Sequence, residues 1–334
     1  MKSKIQELVS DKTDKIDYEE VLKRFPWIIE KGKNCVISPD SDGLLCGLLM
    51  SHYLNWKIVG FYDGKVMILK NGLEPKNCVF LDMEIFRREV KSIGQHMLLY
   101  NKKRKPSNWF NFDNCIQPNN LREYDAKKNF RLKYPLATIH LLLGILGYKL
   151  KINVPESSIP ALLFVDGTFN VLFRYPENVL NWLSYLRADE QGSVLKYIFE
   201  NDKYSVYELM VTMDKFFKQR DQISIPHERG DRLKISNTDS TPHNLISANT
   251  SYNLDSSATT RVLKFLELLS GLTEWKFNNA SWTFGGFKLY KFRKGNLTLS
   301  NREYDAFIVR NPVSFAITSG TGLEYTMESS DKIL

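Results

Sequence analysis

Five side chains in this sequence have the types and spacing to do chemistry together. "ISPDSDGLLCG" (Ile37 to Gly47) places Asp40 and Asp42 two residues apart, just past an apolar run that ends at Ile37. Asp82 closes "CVFLD", His96 precedes "MLLYN", and Asp166 follows "ALLFV" and precedes Gly167. One carboxylate suffices to cap a helix, and a second beside it repels the first. A divalent cation removes that repulsion and draws oxygen ligands to the carboxyl ends of strands. Four carboxylates and an imidazole, each beside a segment expected to be buried, suit Mn²⁺ or Mg²⁺ better than a structural zinc. A plainer reading stands beside this one: Ser41 or Asp42 as the cap of a helix starting near Gly43, the other acids as caps, and His96 as a core residue.

A sheet is needed to bring these residues together, and the apolar pattern predicts one. Tyr18, Val21, Leu22 and Phe25 recur at helical spacing, with Pro26 and Gly32 as breakers. "NCVISP", "WKIVGFYD", "VMIL" and "CVFLD" read as strands, and "GLLCGLLMSHYLN" as a helix apolar nearly all round that packs on them. "EIFRREVKSIG" reads as a helix and "HMLLYN" as a further strand. This alternation predicts an α/β fold, a mostly parallel sheet flanked by helices, with Asp40 and Asp82 at one carboxyl edge. Helices follow at "YPLATIHLLLGILGY", "SSIPALLFV", "ENVLNWLSYLRA", "VLKYIF" and "VYELMVTMDKFFKQRDQI". His140, inside the first of these, reads as core. The polar stretch from Pro226 to Asp255 reads as a linker, followed by a helix at "TTRVLKFLELL" and strands at "SWTFGGFKLYKFR" and "FAITSG". A length of 334 residues suits two domains at about 150 residues each. The boundaries expected are 1–190 for the acid-bearing domain, 191–255 for a helical connector and linker, and 256–334 for a smaller α/β domain.

The order of the acidic segments resembles the DHH phosphoesterase superfamily over roughly residues 33–190. Asp40-Ser41-Asp42-Gly43, Leu81-Asp82, Gln95-His96-Met97 and Asp166-Gly167-Thr168 are similar, in order and spacing, to that superfamily's first to fourth motifs. The resemblance implies that Asp42, Asp82, His96 and Asp166 complete one cation site, with Asp82 bridging to a second. It also implies a smaller domain, closing over substrate with a glycine-rich strand, for which Gly285 and Gly286 are the counterpart. The sequence departs from the family in two places. Val36 stands where a histidine is frequent, and Gln95-His96-Met97 replaces Asp-His-His, losing one acid and the second His that helps bind phosphate. The second cation would keep only Asp40 and the shared Asp82, with Ser38 or substrate oxygens filling in. Gln95 and Arg174, near Tyr175, are further candidates to touch substrate.

Composition narrows the partners. A net charge of +8 is clustered: Lys102, Lys103, Arg104 and Lys105 are followed by Trp109 and Phe110, and "KKNFRLKY" (Lys127 to Tyr134) mixes cations with rings. Cations neutralise phosphates and rings stack bases, so single-stranded nucleic acid or an oligonucleotide is the expected partner; a solvated loop is the alternative. No apolar run reaches the ~18 residues of a membrane span, and the amino-terminal stretch lacks a signal-peptide core, so a cytoplasmic protein is expected. Cys35, Cys46, Cys78 and Cys115 form no Cys-x-x-Cys pair and read as buried reduced thiols. The expected function is metal-dependent hydrolysis of nucleic-acid phosphodiesters. The alternatives are a catalytically weakened subunit that binds nucleic acid or a protein partner as a scaffold, in a homodimer or larger complex, and a phosphodiesterase for a small nucleotide or cyclic dinucleotide.

Overall fold

The computed structural model describes residues 4–9, 13–202, 204–223, 233–329 and 333–334. Its sheet grows from the apolar runs. β1 (Asn34–Ile37), β2 (Lys57–Tyr62), β3 (Val66–Lys70) and β4 (Val79–Leu81) lie where β-branched and aromatic residues cluster. β5 (Lys91–Ile93) and β6 (Cys115–Ile116) complete a parallel half ordered β2-β1-β4-β5-β6. The helix Ser41–Leu54 joins β1 to β2, buried on nearly every side, as an apolar sequence requires.

The rest of the sheet is antiparallel. β7 (Leu245–Ala248) and β8 (Ser251–Leu254) form a hairpin, and β9 (Phe287–Thr298), β10 (Ser314–Ser319) and β11 (Gly322–Glu328) follow. β9 uses Phe287–Lys291 to pair with β3 and Phe292–Thr298 to pair with β11, so one strand carries the sheet across both halves. The fold is therefore α/β with a mixed sheet. The sheet runs unbroken into the expected second domain, and the described residues do not set that domain apart.

Three local expectations are corrected. Residues 84–94 are not a helix, because partners outside a helical ladder, two of them distant in sequence, take their polar groups. The Ile85 amide donates to Ser92 Oγ at 3.2 Å, the Phe86 amide to the Val313 carbonyl at 2.8 Å, and the buried Arg87 guanidinium to the Phe86 and Pro312 carbonyls at 2.8 and 2.6 Å. "HMLLYN" forms no strand: Met97, Leu98 and Leu99 are buried in irregular chain. The expected linker, Pro226 to Asp255, lies in part, at 226–232, outside the described residues, and the remainder is docked. The Leu233 amide donates to the Pro39 carbonyl at 2.7 Å, and Ser236 Oγ bonds the Asp63 carboxylate. All four cysteines are buried free thiols, and His140 is wholly buried as core.

Arg87 joins the parallel half to the carboxyl-terminal strands through Pro312 and Glu328, the latter at 3.3 Å. Removing one partner of a buried pair costs about 3–5 kcal/mol. Arg87→Ala is expected to lower stability by about that amount in urea, and the wild-type protein to unfold in one transition; carboxyl-terminal strands melting separately would refute a continuous sheet.

Candidate metal centre

β1, β4 and β5 are parallel neighbours, and each ends at one of the predicted positions: Asp40 and Asp42 after β1, Asp82 after β4, Gln95 and His96 after β5. Asp40 N-caps the helix Ser41–Leu54, its Oδ1 accepting from the Gly43 amide at 3.1 Å. The cap is thus Asp40, not Ser41 or Asp42. A Cβ at Gly43 would lie 2.1 Å from the Ser38 carbonyl oxygen, so the turn closes only with glycine there.

Freed from capping its own helix, Asp42 meets the start of another. It is fully buried, and its Oδ2 and Oδ1 accept from the Thr138 and Ile139 amides at 2.7 and 3.1 Å, at the amino end of the helix Thr138–Gly147. Thr138 Oγ1 also donates to Asp82 Oδ1 at 2.7 Å. Asp166 comes from the turn between the helices Ile159–Phe164 and Thr168–Arg174 and accepts from Gln95 Nε2. Oxygens of Asp42, Asp82 and Asp166 all lie within 4.8 Å of one another. Asp82 and Asp166 hold φ of +62° and +51°, left-handed conformations that cost about 1–3 kcal/mol and persist only where the surroundings impose them.

The electrostatics are unfavourable for the protein alone. Burial, then the charges of Asp166 and Asp40, push the Asp42 carboxyl well above its usual range against the two amides that lower it. Burial, then Asp42, Asp40 and Asp166, push Asp82 up likewise. Such a set prefers to hold protons or a cation. The donors are hard oxygens, which fits Mn²⁺ or Mg²⁺.

His96 is placed differently from the expectation. Its Nδ1 lies 3.1 Å from Glu84 Oε2, its amide donates to Glu84 Oε1 at 2.6 Å, and its nitrogens lie outside the three-acid group. Burial alone would lower its pKa, but the charge and hydrogen bond of Glu84, then Asp166, hold it at about 9. The ring is still 47% exposed to the cleft. As an imidazolium it offers charge and a proton to an incoming anion. As a neutral ring it presents its other nitrogen to a cation, oriented by a carboxylate.

Comparison of the chain with family models, with curated proteins and with solved structures finds no match in any of the three.

The cleft, about 330 Å³, is lined by Ser38, Asp40, Asp82, Gln95, His96 and Asp166 on one wall and by Lys294, Ser314 and Glu324 from the antiparallel half on the other. It continues past Gln95, His96, Asp166 and Thr318 into a second lobe of about 740 Å³. The remaining candidates lie elsewhere. Lys102, Lys103 and Trp109 line a separate cavity that shares no wall with the cleft. Arg104 is taken by Asp305 at 2.7 Å. Trp109 is buried against Phe112, ring centroids 5.1 Å apart, so it is core and no stacking platform. Arg174 lies over the Tyr175 ring at 5.3 Å and lines neither lobe. Gly286, at φ +68°, donates its amide to Asn253 Oδ1 at 2.7 Å, and a Cβ on Gly285 would strike the same Asn at 2.5 Å. The glycine pair serves the start of β9, away from the acids.

Glu84 and Thr138 went unread in the sequence, and Lys133 was read only as one cation of the run Lys127 to Tyr134. Glu84 repeats behind Asp82 the two-residue spacing of Asp40 and Asp42, and Gly94 clears space for it, a Cβ there lying 2.4 Å from Glu84 Oε1.

Because the folded pKa of Asp82 is raised, its ionisation is unfavourable to folding: stability is full below the unfolded value of about 3.9 and falls as pH rises toward the folded one. Metal-free Asp82→Asn is therefore expected to melt above the wild type at pH 8, the gap closing near pH 4; equal melting at pH 8 would show that the acids are not strained. Hundredfold excess of Mn²⁺ over its dissociation constant should stabilise the wild type by about 2.7 kcal/mol and leave Asp82→Asn unmoved, as read by thermal melting.

Proposed function

We propose that this chain is a divergent DHH-type phosphoesterase that hydrolyses phosphodiesters of nucleic acid or oligonucleotides. The observation that carries the reading is the convergence of Asp42, Asp82 and Asp166, from three separate stretches of sequence, within 4.8 Å beside an open cleft. Asp42, Asp82 and Asp166 would hold Mn²⁺ or Mg²⁺, with Asp40 and Ser38 at its border. A cation so held would neutralise charge on phosphoryl oxygens and lower the pKa of a water bound to it, supplying hydroxide nearer neutral pH.

The chain's own groups do the rest. Thr138 and Ile139 hold Asp42 in place, and Thr138 holds Asp82. Gln95 fixes Asp166. His96, raised to about 9 and backed by Glu84, stands as the cationic contact for a phosphoryl oxygen and as proton donor to a leaving oxygen. Lys294 reaches the cleft from the opposite wall, already paired with Glu324 at 2.7 Å.

The scaffold reading draws on a different observation. Both Asp42 oxygens are engaged by backbone amides, and His96 is tied to Glu84, so the acids have a structural use at a helix amino terminus without a cation. The two readings part in one assay. With Mn²⁺ the wild type should hydrolyse bis(p-nitrophenyl) phosphate and single-stranded DNA, and Asp82→Asn should lose about a hundredfold or more in rate. Wild-type protein that binds DNA without cleaving it, at any Mn²⁺ concentration, would leave the scaffold.

No helix among the described residues is long and apolar enough to cross a membrane. A cytoplasmic setting and a homodimer or larger assembly belong to this proposal as expectations.

A further inference from the structure

The second lobe of the cleft is not explained by the acids. It is more than twice the size of the first, about 740 against 330 Å³, and the two meet at Gln95, His96, Asp166 and Thr318. A single phosphate group has no use for that length. Its walls come largely from the run Phe130 to Leu136 and from Val171, Tyr175 and Asn178.

Two cations line it. Lys133 is half-buried, its Nζ 4.9 Å from the Phe130 ring centroid, and Arg131 is exposed. Neither has a carboxylate within ion-pair distance among the described residues; in the other basic run Lys102 and Arg104 are paired with Glu123 and Asp305, and Lys103 and Lys105 line a cavity that does not meet the cleft. Burial lowers the Lys133 pKa, and its charge is near enough to oppose that of His96. A partly desolvated ammonium beside a cation instead of an acid is relieved by an anion between them. The rings of Phe130 and Tyr175 add partly exposed aromatic surface, Tyr175 being 38% exposed. Alternating cations and rings along a groove are what a flexible strand of phosphates and bases matches.

We propose that this lobe, with Lys133, Arg131, Phe130 and Tyr175, is the track for the single-stranded segment adjoining the scissile phosphate, so that the substrate is a linear oligonucleotide. This rests on the phosphodiesterase reading for the meaning of "scissile", while the binding itself does not. Lys133 takes the phosphate next to the one at the acids, between itself and His96. Bases beyond it pack on Phe130 and Tyr175. The basic run at Lys102 to Lys105 is excluded from the track.

Fluorescence anisotropy with a labelled single-stranded DNA decides it, in EDTA so that no cation contributes. Lys133→Gln should weaken binding about tenfold and reduce the slope of log affinity against log salt by about 0.7. Tyr175→Ala, at an exposed position that unfolding does not confound, should weaken it fivefold or more while leaving that slope in place, since stacking is worth about 1–3 kcal/mol per base and releases no counterions. Lys102→Gln with Lys103→Gln should bind as wild type. Wild-type affinity in both Lys133→Gln and Tyr175→Ala would overturn the track, as would a cyclic dinucleotide competing as well as a linear strand. Hydrolysis of bis(p-nitrophenyl) phosphate in Mn²⁺ is read in parallel: its absence in wild type with loss of DNA binding in the variants refutes the catalytic reading and leaves the track standing.

Discussion

Repulsion among the buried carboxylates is the constraint around which this fold is arranged. Three acids within 4.8 Å, two of them buried, would force the cleft apart or take up protons unless something offset their charge. The protein supplies part of the offset in backbone: the amino terminus of the helix Thr138–Gly147 is aimed at Asp42, and Thr138 reaches on to Asp82. It also holds Asp82 and Asp166 in left-handed conformations that a residue free to relax would leave. Gly43 and Gly94 admit the close approaches on which Ser38 and Glu84 depend. The parallel arrangement of β1, β4 and β5 follows from the same requirement, since only parallel neighbours deliver their ends to one edge.

Much of this was legible in the amino-acid order. Asp82 and Asp166 stand directly after apolar runs and Asp40 three residues past one, and such runs are read well because burial dictates them. What was lost has physical causes. Glu84 to Gly94 has helical periodicity, yet Val313 and Pro312 satisfy its polar groups from afar, which no local pattern discloses. The β7–β8 hairpin was hidden by polar residues suited to an edge with little burial. Trp109 beside a basic run suggested an exposed ring, but whether a ring faces water depends on Phe112, Phe86 and Phe315 folding against one another. Of the two basic-aromatic runs, charge alone gave no means to choose; only in three dimensions does one line the cleft's second lobe and the other a separate cavity.

The His96–Glu84 pair has two faces. Bonded through both backbone and ring, His96 is held still, and the carboxylate that fixes it also raises its affinity for a proton. A bound dication nearby would oppose that proton, so the same ring changes character with the state of the acids.

The passage of β9 from β3 to β11 has a mechanical consequence. Two bodies joined by a loose linker can swing like a jaw, but here the wall bearing Lys294 and Glu324 hangs on a strand whose neighbouring residues, Lys291 and Phe292, are committed to different partners. Opening that wall would twist a hydrogen-bonded ribbon, a stiff deformation compared with rotation about a flexible segment. Such an architecture holds the cleft close to one width.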